Sequence, residues 1–156
     1  MKSKKIIVIG SIFICIIVIS FIFLNNKPNT NNFDKETVLK NFYTSYENKD
    51  IKLYNESVIN ELKTKNSEEE KLRQDVYDDI IEFKLIKIKE LPNSSTEFNG
   101  KTFDKSNIAK FEVFYNVDFN KNLTSSNEGN ISTIKILTRE NENSPWLVSG
   151  QEGQGL

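Results

Sequence analysis

Residues 108–119 read IAKFEVFYNVDF. In an extended chain Ala109, Phe111, Val113, Tyr115, Val117 and Phe119 fall on one face, and Lys110, Glu112, Asn116 and Asp118 on the other, with Phe114 the exception. This predicts a long strand with its apolar face on a core. Upstream, Phe83 to Leu91 (FKLIKIKEL) repeats the pattern, but the alternation slips between Leu85 and Ile86, which predicts a bulge or a late strand start. Ile131 to Arg139 and Trp146 to Gln151 complete four long strands. The stretch between the first two, 92–107, holds TEFNGKTF, and Asn99-Gly100 is the signal for a type I′ hairpin turn. That small hairpin is expected to project from the body.

Before the strands the period is helical. Asp34 is a good N-cap, and Val38, Leu39, Phe42, Tyr43 and Tyr46 share one face of a helix ending near Asn48. Asp50 caps a second helix with Ile51, Tyr54, Val58 and Leu62 on one stripe. Ser67 and Glu70 read as the capping box of a third, running to about Ile81. Asp75, Asp78, Asp79 and Glu82 fall on one arc of this helix, opposite Leu72, Val76, Tyr77, Ile80 and Ile81. Grouped carboxylates can bind hard cations, but without EF-hand spacing the arc is expected to be a solvated face. Three helices followed by a curved antiparallel sheet of about four long strands make an α+β, cone-like domain over 34–156.

The first 33 residues differ in kind. Ile6 to Leu24 is an uncharged apolar run of 19 residues. As a helix it would be roughly 28 Å long, close to the roughly 30 Å core of a bilayer. Lys2, Lys4 and Lys5 precede it without an acidic residue, which sets residues 1–5 in the cytoplasm and the rest outside. No small-residue cleavage site follows, so 6–24 is expected to be an uncleaved anchor in the cell membrane, with secretion after cleavage the alternative. Residues 25–33 (NNKPNTNNF) read as a tether. The only cysteine, Cys15, sits mid-span among bulky residues and reads as a small hydrophobe, so the exported part has no disulfide.

Residues 34–156 carry all 22 acidic residues and 17 basic ones, a net charge of −5. Such a surface argues against a nucleic-acid partner. The chain has no histidine, which removes the usual base near neutral pH and the commonest zinc ligand. No cofactor, metal or catalytic residue is implied.

The element order, the anchor, and a last strand in PWLVSGQEG (145–153) that is followed by another glycine resemble the nuclear-transport-factor-2-like, or cystatin-like, superfamily. Most similar in layout are small exported Gram-positive bacterial domains of unknown function. The resemblance covers Asp34 to about Gly153. It implies helices over one face of a curved sheet, around a cavity that some members use for catalysis with an Asp or His paired to a Tyr. No such pair can be matched here. In that cone Tyr46, Tyr54, Phe111, Tyr115 and Trp146 are the candidates to line a pocket, against the plainer reading that they are core. Gly150 is expected to mark a bulge or a close approach, with Gly153 and Gly155 at a fraying end. The function expected is a non-catalytic interaction or scaffold module, self-associating or binding a protein partner, since one span followed by such a domain also resembles assembly subunits of type IV secretion machines. The alternative is a small-molecule binder or cryptic enzyme using the cavity.

Overall fold

The computed structural model describes residues 34–92, 96–120 and 128–153; the expected anchor, its Cys15, the tether and Gly155 lie outside them. Helix α1 spans Lys35–Glu47, α2 Ile51–Ser57 and α3 Ser67–Asp79. Strands follow at β1 Ile80–Leu91, β2 Glu97–Phe98, β3 Lys101–Thr102, β4 Ile108–Phe119, β5 Gly129–Thr138 and β6 Leu147–Glu152. The long strands form one antiparallel sheet in the order β1-β4-β5-β6, and the three helices pack on it, an α+β domain.

Each helix starts where a side chain satisfies its free N–H groups. The Asp34 carboxylate accepts from the Thr37 N–H at 2.9 Å and the Thr37 hydroxyl at 2.8 Å, and these bonds hold its pKa below the usual value. Asp50 accepts from the Leu53 N–H at 3.0 Å. At α3 the cap is Asn66 rather than Ser67: its side chain accepts from the N–H groups of Glu68 and Glu69, while the Glu69 carboxylate accepts from the Lys65 N–H at 2.6 Å. The capping logic holds, shifted by one residue.

Two expectations about helix length need correction. Helix α2 stops at Ser57, because Val58 leaves it to bridge Val148 of β6 and the Ile59 N–H donates to the Val148 carbonyl at 3.1 Å. Tyr54 and Val58 are buried as expected, but Leu62 is 39% exposed. Helix α3 ends at Asp79 and runs into β1 with no loop, so the strand begins at Ile80 instead of Phe83. The acidic arc is thereby broken. Asp79 is buried at the junction, where its carbonyl accepts from the Asn120 N–H at 2.7 Å, and Glu82 belongs to the strand. Leu72 and Ile81, placed by helical phase on the apolar side, are 61% and 63% exposed.

Strand β4 is the axis of the sheet. Ala109, Phe111, Val113, Tyr115, Val117 and Phe119 are all buried, and the intervening side chains are not. The bulge in β1 is present: Leu85 pairs with Tyr115 and Lys87 with Phe114, which extrudes Ile86. In β6 the register slips so that Ile136 faces Gly150 and Leu137 faces Val148.

The small hairpin has the expected turn, with positive φ at Asn99 (49°) and Gly100 (72°). It does not project. A Cβ built on Gly150 would lie 2.5 Å from the Phe98 Cζ, so the ring rests directly on the β6 backbone. Gly150 pairs with Ile136, whose neighbours Lys135 and Leu137 face the helices; the hairpin therefore covers the opposite face of the sheet, where Ile136 is buried. An exposed Lys101–Glu61 pair at 3.5 Å also ties it down. Gly150→Ala is expected to cost about 1–3 kcal/mol through overpacking and to increase amide exchange at 96–103. Combining it with Phe98→Ala should recover part of that loss in a double-mutant cycle; additive losses would show that the ring is not held by this glycine.

Candidate functional site

Aromatic side chains on α1 meet those of the sheet in a continuous cluster. Tyr43 stacks on Phe83 at 5.9 Å between ring centroids, Phe83 on Tyr115 at 5.3 Å, and Tyr46 on Phe83 at 5.9 Å. Phe42 stands edge-on to Tyr43 at 5.1 Å, and Tyr46 edge-on to Tyr77 at 5.3 Å. These are the offset and T-shaped geometries that the ring quadrupole favours. Tyr43, Tyr77 and Tyr115 are completely buried.

The five pocket candidates separate into two groups. Tyr46, Tyr54 and Tyr115 belong to the aromatic cluster. Phe111 and Trp146 instead meet Lys35, whose Nζ is 5.9 Å and 5.6 Å from their ring centroids and is paired with Glu90. Trp146 also lies 4.8 Å from the Arg139 guanidinium, which the Asn107 side chain holds at 2.9 Å. Beside it a shallow pocket of about 450 Å³ is lined by Lys35, Glu90, Pro92, Lys105, Ile108 and Trp146, among others. Among the described residues no group of three or more carboxylates gathers in a way that could hold a metal.

Sequence reasoning missed two basic residues beside the aromatic cluster, the half-buried Arg73 and the buried Lys135. Arg73, on α3, donates from Nη1 to the Tyr46 hydroxyl at 3.1 Å and from Nη2 to the Tyr54 hydroxyl at 2.8 Å, with its Cζ 4.0 Å above the Tyr54 ring centroid. Lys135, on β5, is only 3% exposed. Its Nζ lies 4.8 Å from the Phe42 ring centroid and 5.8 Å from that of Tyr43, and donates to the Gln151 Oε1. The parity of ISTIKILT (131–138) carries the signal, since Lys135 shares a face with Leu137; Ile134 and Ile136 obscured it by making the other face look like the buried one.

Burial governs the ionisation of all these groups. It pushes the Tyr43 and Tyr46 hydroxyls well above the usual phenol range and raises those of Tyr54 and Tyr77, with Arg73 pulling Tyr46, Tyr54 and Tyr77 partly back. The tyrosines stay neutral donors. Lys135 is pushed the other way, to about 7, first by loss of hydration and then by the charge of Arg73. The aromatic cluster thus has a half-buried permanent cation on one side and a buried amine that titrates near neutrality.

A family model now places the chain. It matches residues 35–151, which takes in every described helix and all but the end of β6. The chain belongs to the family called Domain of unknown function (DUF4829). No curated protein and no solved structure matches it. In this DUF4829 domain the buried amine gives a stability signature. Below pH 7 Lys135 is protonated in both folded and unfolded states, and the cost of burying its charge is fully present; from 7 to the ordinary 10.5 the unfolded chain binds the extra proton, so stability rises with pH and the cost disappears. Lys135→Met is therefore expected to raise stability at pH 6 by about 1–4 kcal/mol, with the gain shrinking towards pH 10. Thermal unfolding across that range checks it; a gain independent of pH would mean that packing, not charge, is the cause.

Proposed function

We propose that the chain is a single-pass membrane protein whose extracytoplasmic domain, of nuclear-transport-factor-2-like architecture, is an interaction or scaffold module without catalysis of its own. The observation that carries this reading is the filling of the space between helices and sheet. Tyr43, Phe83 and Tyr115 stack there directly, where the catalytic members of that superfamily keep a substrate cavity. A further support is chemical: the buried tyrosines are held neutral, so they offer donors rather than a base. Binding is then a matter for the surface, and Ile81 and Ile86 stand exposed at the two irregularities of β1. The anchor at 6–24 and the tether at 25–33 keep that surface near the outer face of the membrane.

A photo-crosslinking side chain at Ile86 of the full-length chain, in its own membrane, should trap a protein adduct, either a second copy or a membrane partner. A chain that stays uncrosslinked and monomeric at every surface position tested would overturn the scaffold reading. Topology is checked separately: Asn29→Cys should react with an impermeant thiol reagent on intact cells, and protection there would reverse the outward assignment.

A further inference from the structure

We infer that Asn99 is a self-modifying site: attack of the Gly100 backbone nitrogen on its side-chain amide converts it to isoaspartate, and the conversion releases the small hairpin from the sheet. The inference goes beyond the interaction reading and does not depend on a partner. Asn99-Gly100 is the only Asn-Gly step in the chain. In any asparagine the next backbone nitrogen can reach Cγ and close a cyclic imide, and a following glycine speeds this because no Cβ crowds the approach. The space where a Gly100 Cβ would stand is empty. Asn99 is exposed, and among the described residues its amide makes no hydrogen bond that would hold it away from the attack. Asn66 is the internal contrast. It precedes Ser67, but its side-chain oxygen accepts from the N–H groups of Glu68 and Glu69 at 3.0 Å, which fixes it as a helix cap.

The step balances with water as the only co-reactant. The Gly100 nitrogen gives up its proton and bonds to the Asn99 Cγ, the Cγ–Nδ2 bond breaks, and ammonia leaves. Water then opens the imide. Addition at Cγ gives aspartate, and addition at the main-chain carbonyl carbon gives isoaspartate, in which the chain runs on through Cβ and Cγ. No atom changes oxidation state.

The fold sets both the timing and the consequence. The closed turn, with positive φ at Asn99 and Gly100, fixes the Asn99 backbone, whereas ring closure needs rotation about its Cα–C bond. The reaction therefore runs from the lifted hairpin. Little holds that hairpin down: its ladder is Glu97–Thr102 and Phe98–Lys101, and its ties to the body include the Phe98 ring on Gly150 and the exposed Lys101–Glu61 pair. Isoaspartate adds an atom to the main chain within the turn. Since the turn sets the register of a hairpin, the seating of Phe98 on Gly150 is then lost, and the sheet face at Ile136 is uncovered.

Ageing of the detergent-solubilised full chain in mildly alkaline buffer tests this, with peptide mapping that separates isoaspartate from aspartate. Asn99 should convert faster than any other asparagine, Asn66 included, and chiefly to isoaspartate; this measurement needs no variant to fold. In Gly150→Ala, where the ring loses its seat, the rate should rise about tenfold, because attack on a transiently open segment tracks its open population. Amide exchange at 96–103 should rise with age in wild type. It should stay constant in Asn99→Gly, which keeps a hairpin turn sequence but has no side-chain amide. Conversion at Asn99 no faster than at Asn66 would overturn the site. Equal rates in wild type and Gly150→Ala, or isoaspartate without a rise in exchange, would overturn its coupling to the hairpin.

Discussion

The contact of Tyr43 with Phe83 and Tyr115 joins α1 to β1 and β4, which pair along the whole of β1, and the rest of the packing is built outward from it. Residues 34–156 contain no cysteine, so no disulfide restrains their unfolded chain, and stability has to come from burial. Large rings suit that task because each removes much apolar area from water at the cost of few rotatable bonds. They also bring hydroxyls into a dry interior, and each hydroxyl needs a partner. Tyr77 shares a hydrogen bond with Ser45 at 3.1 Å, Tyr54 reaches the Leu62 carbonyl, and Tyr46 takes one from Arg73. A core made of phenylalanine would not have required Ser45 or Arg73 to be where they are.

That requirement explains why a half-buried arginine lies against the aromatic cluster. Arg73 serves as donor to two hydroxyls and as a plane to lie on Tyr54, roles for which a flat, permanently charged guanidinium is better suited than an ammonium. Lys135 loses its hydration by burial and then meets the charge of Arg73, so its amine gives up its proton readily.

Most of the fold was legible because it rests on local chemistry. The alternation in IAKFEVFYNVDF, the Asp34 and Asp50 caps, the slip at Ile86 and the Asn99-Gly100 turn each act within a few residues, and each is present. What was not legible depends on contacts distant in sequence. Val58 abandons a helical stripe for Val148, ninety positions away in the chain. The α3–β1 junction falls at Asp79 because the strand ladder reaches back to Ile80 and outcompetes one more helical turn. Of the pocket candidates, Tyr46, Tyr54 and Tyr115 share one cluster, while Phe111 and Trp146 are bound up with Lys35, and only the folded register shows that division. Lys135 was missed because a lysine in a strand is ordinarily read as solvent-facing, and only its parity with Leu137 says otherwise.

The edges of the sheet decide how a partner could be held. On β6 the Val58–Ile59 segment bridges Val148, and on the far face Phe98 covers Gly150, so one edge is occupied by the chain itself. On β1 two register irregularities and the exposed Lys84, Lys87 and Lys89 break the regular run of backbone groups that an incoming strand would need. Bulges and lysines are the usual means by which edge strands avoid pairing with other chains. A domain guarded at both edges is not built for strand addition. If the domain is the interaction module proposed above, a partner would be held through side chains: the same bulges that spoil the ladder at β1 turn Ile81 and Ile86 outward, so that the device that prevents indiscriminate pairing also presents apolar groups that a partner could bury.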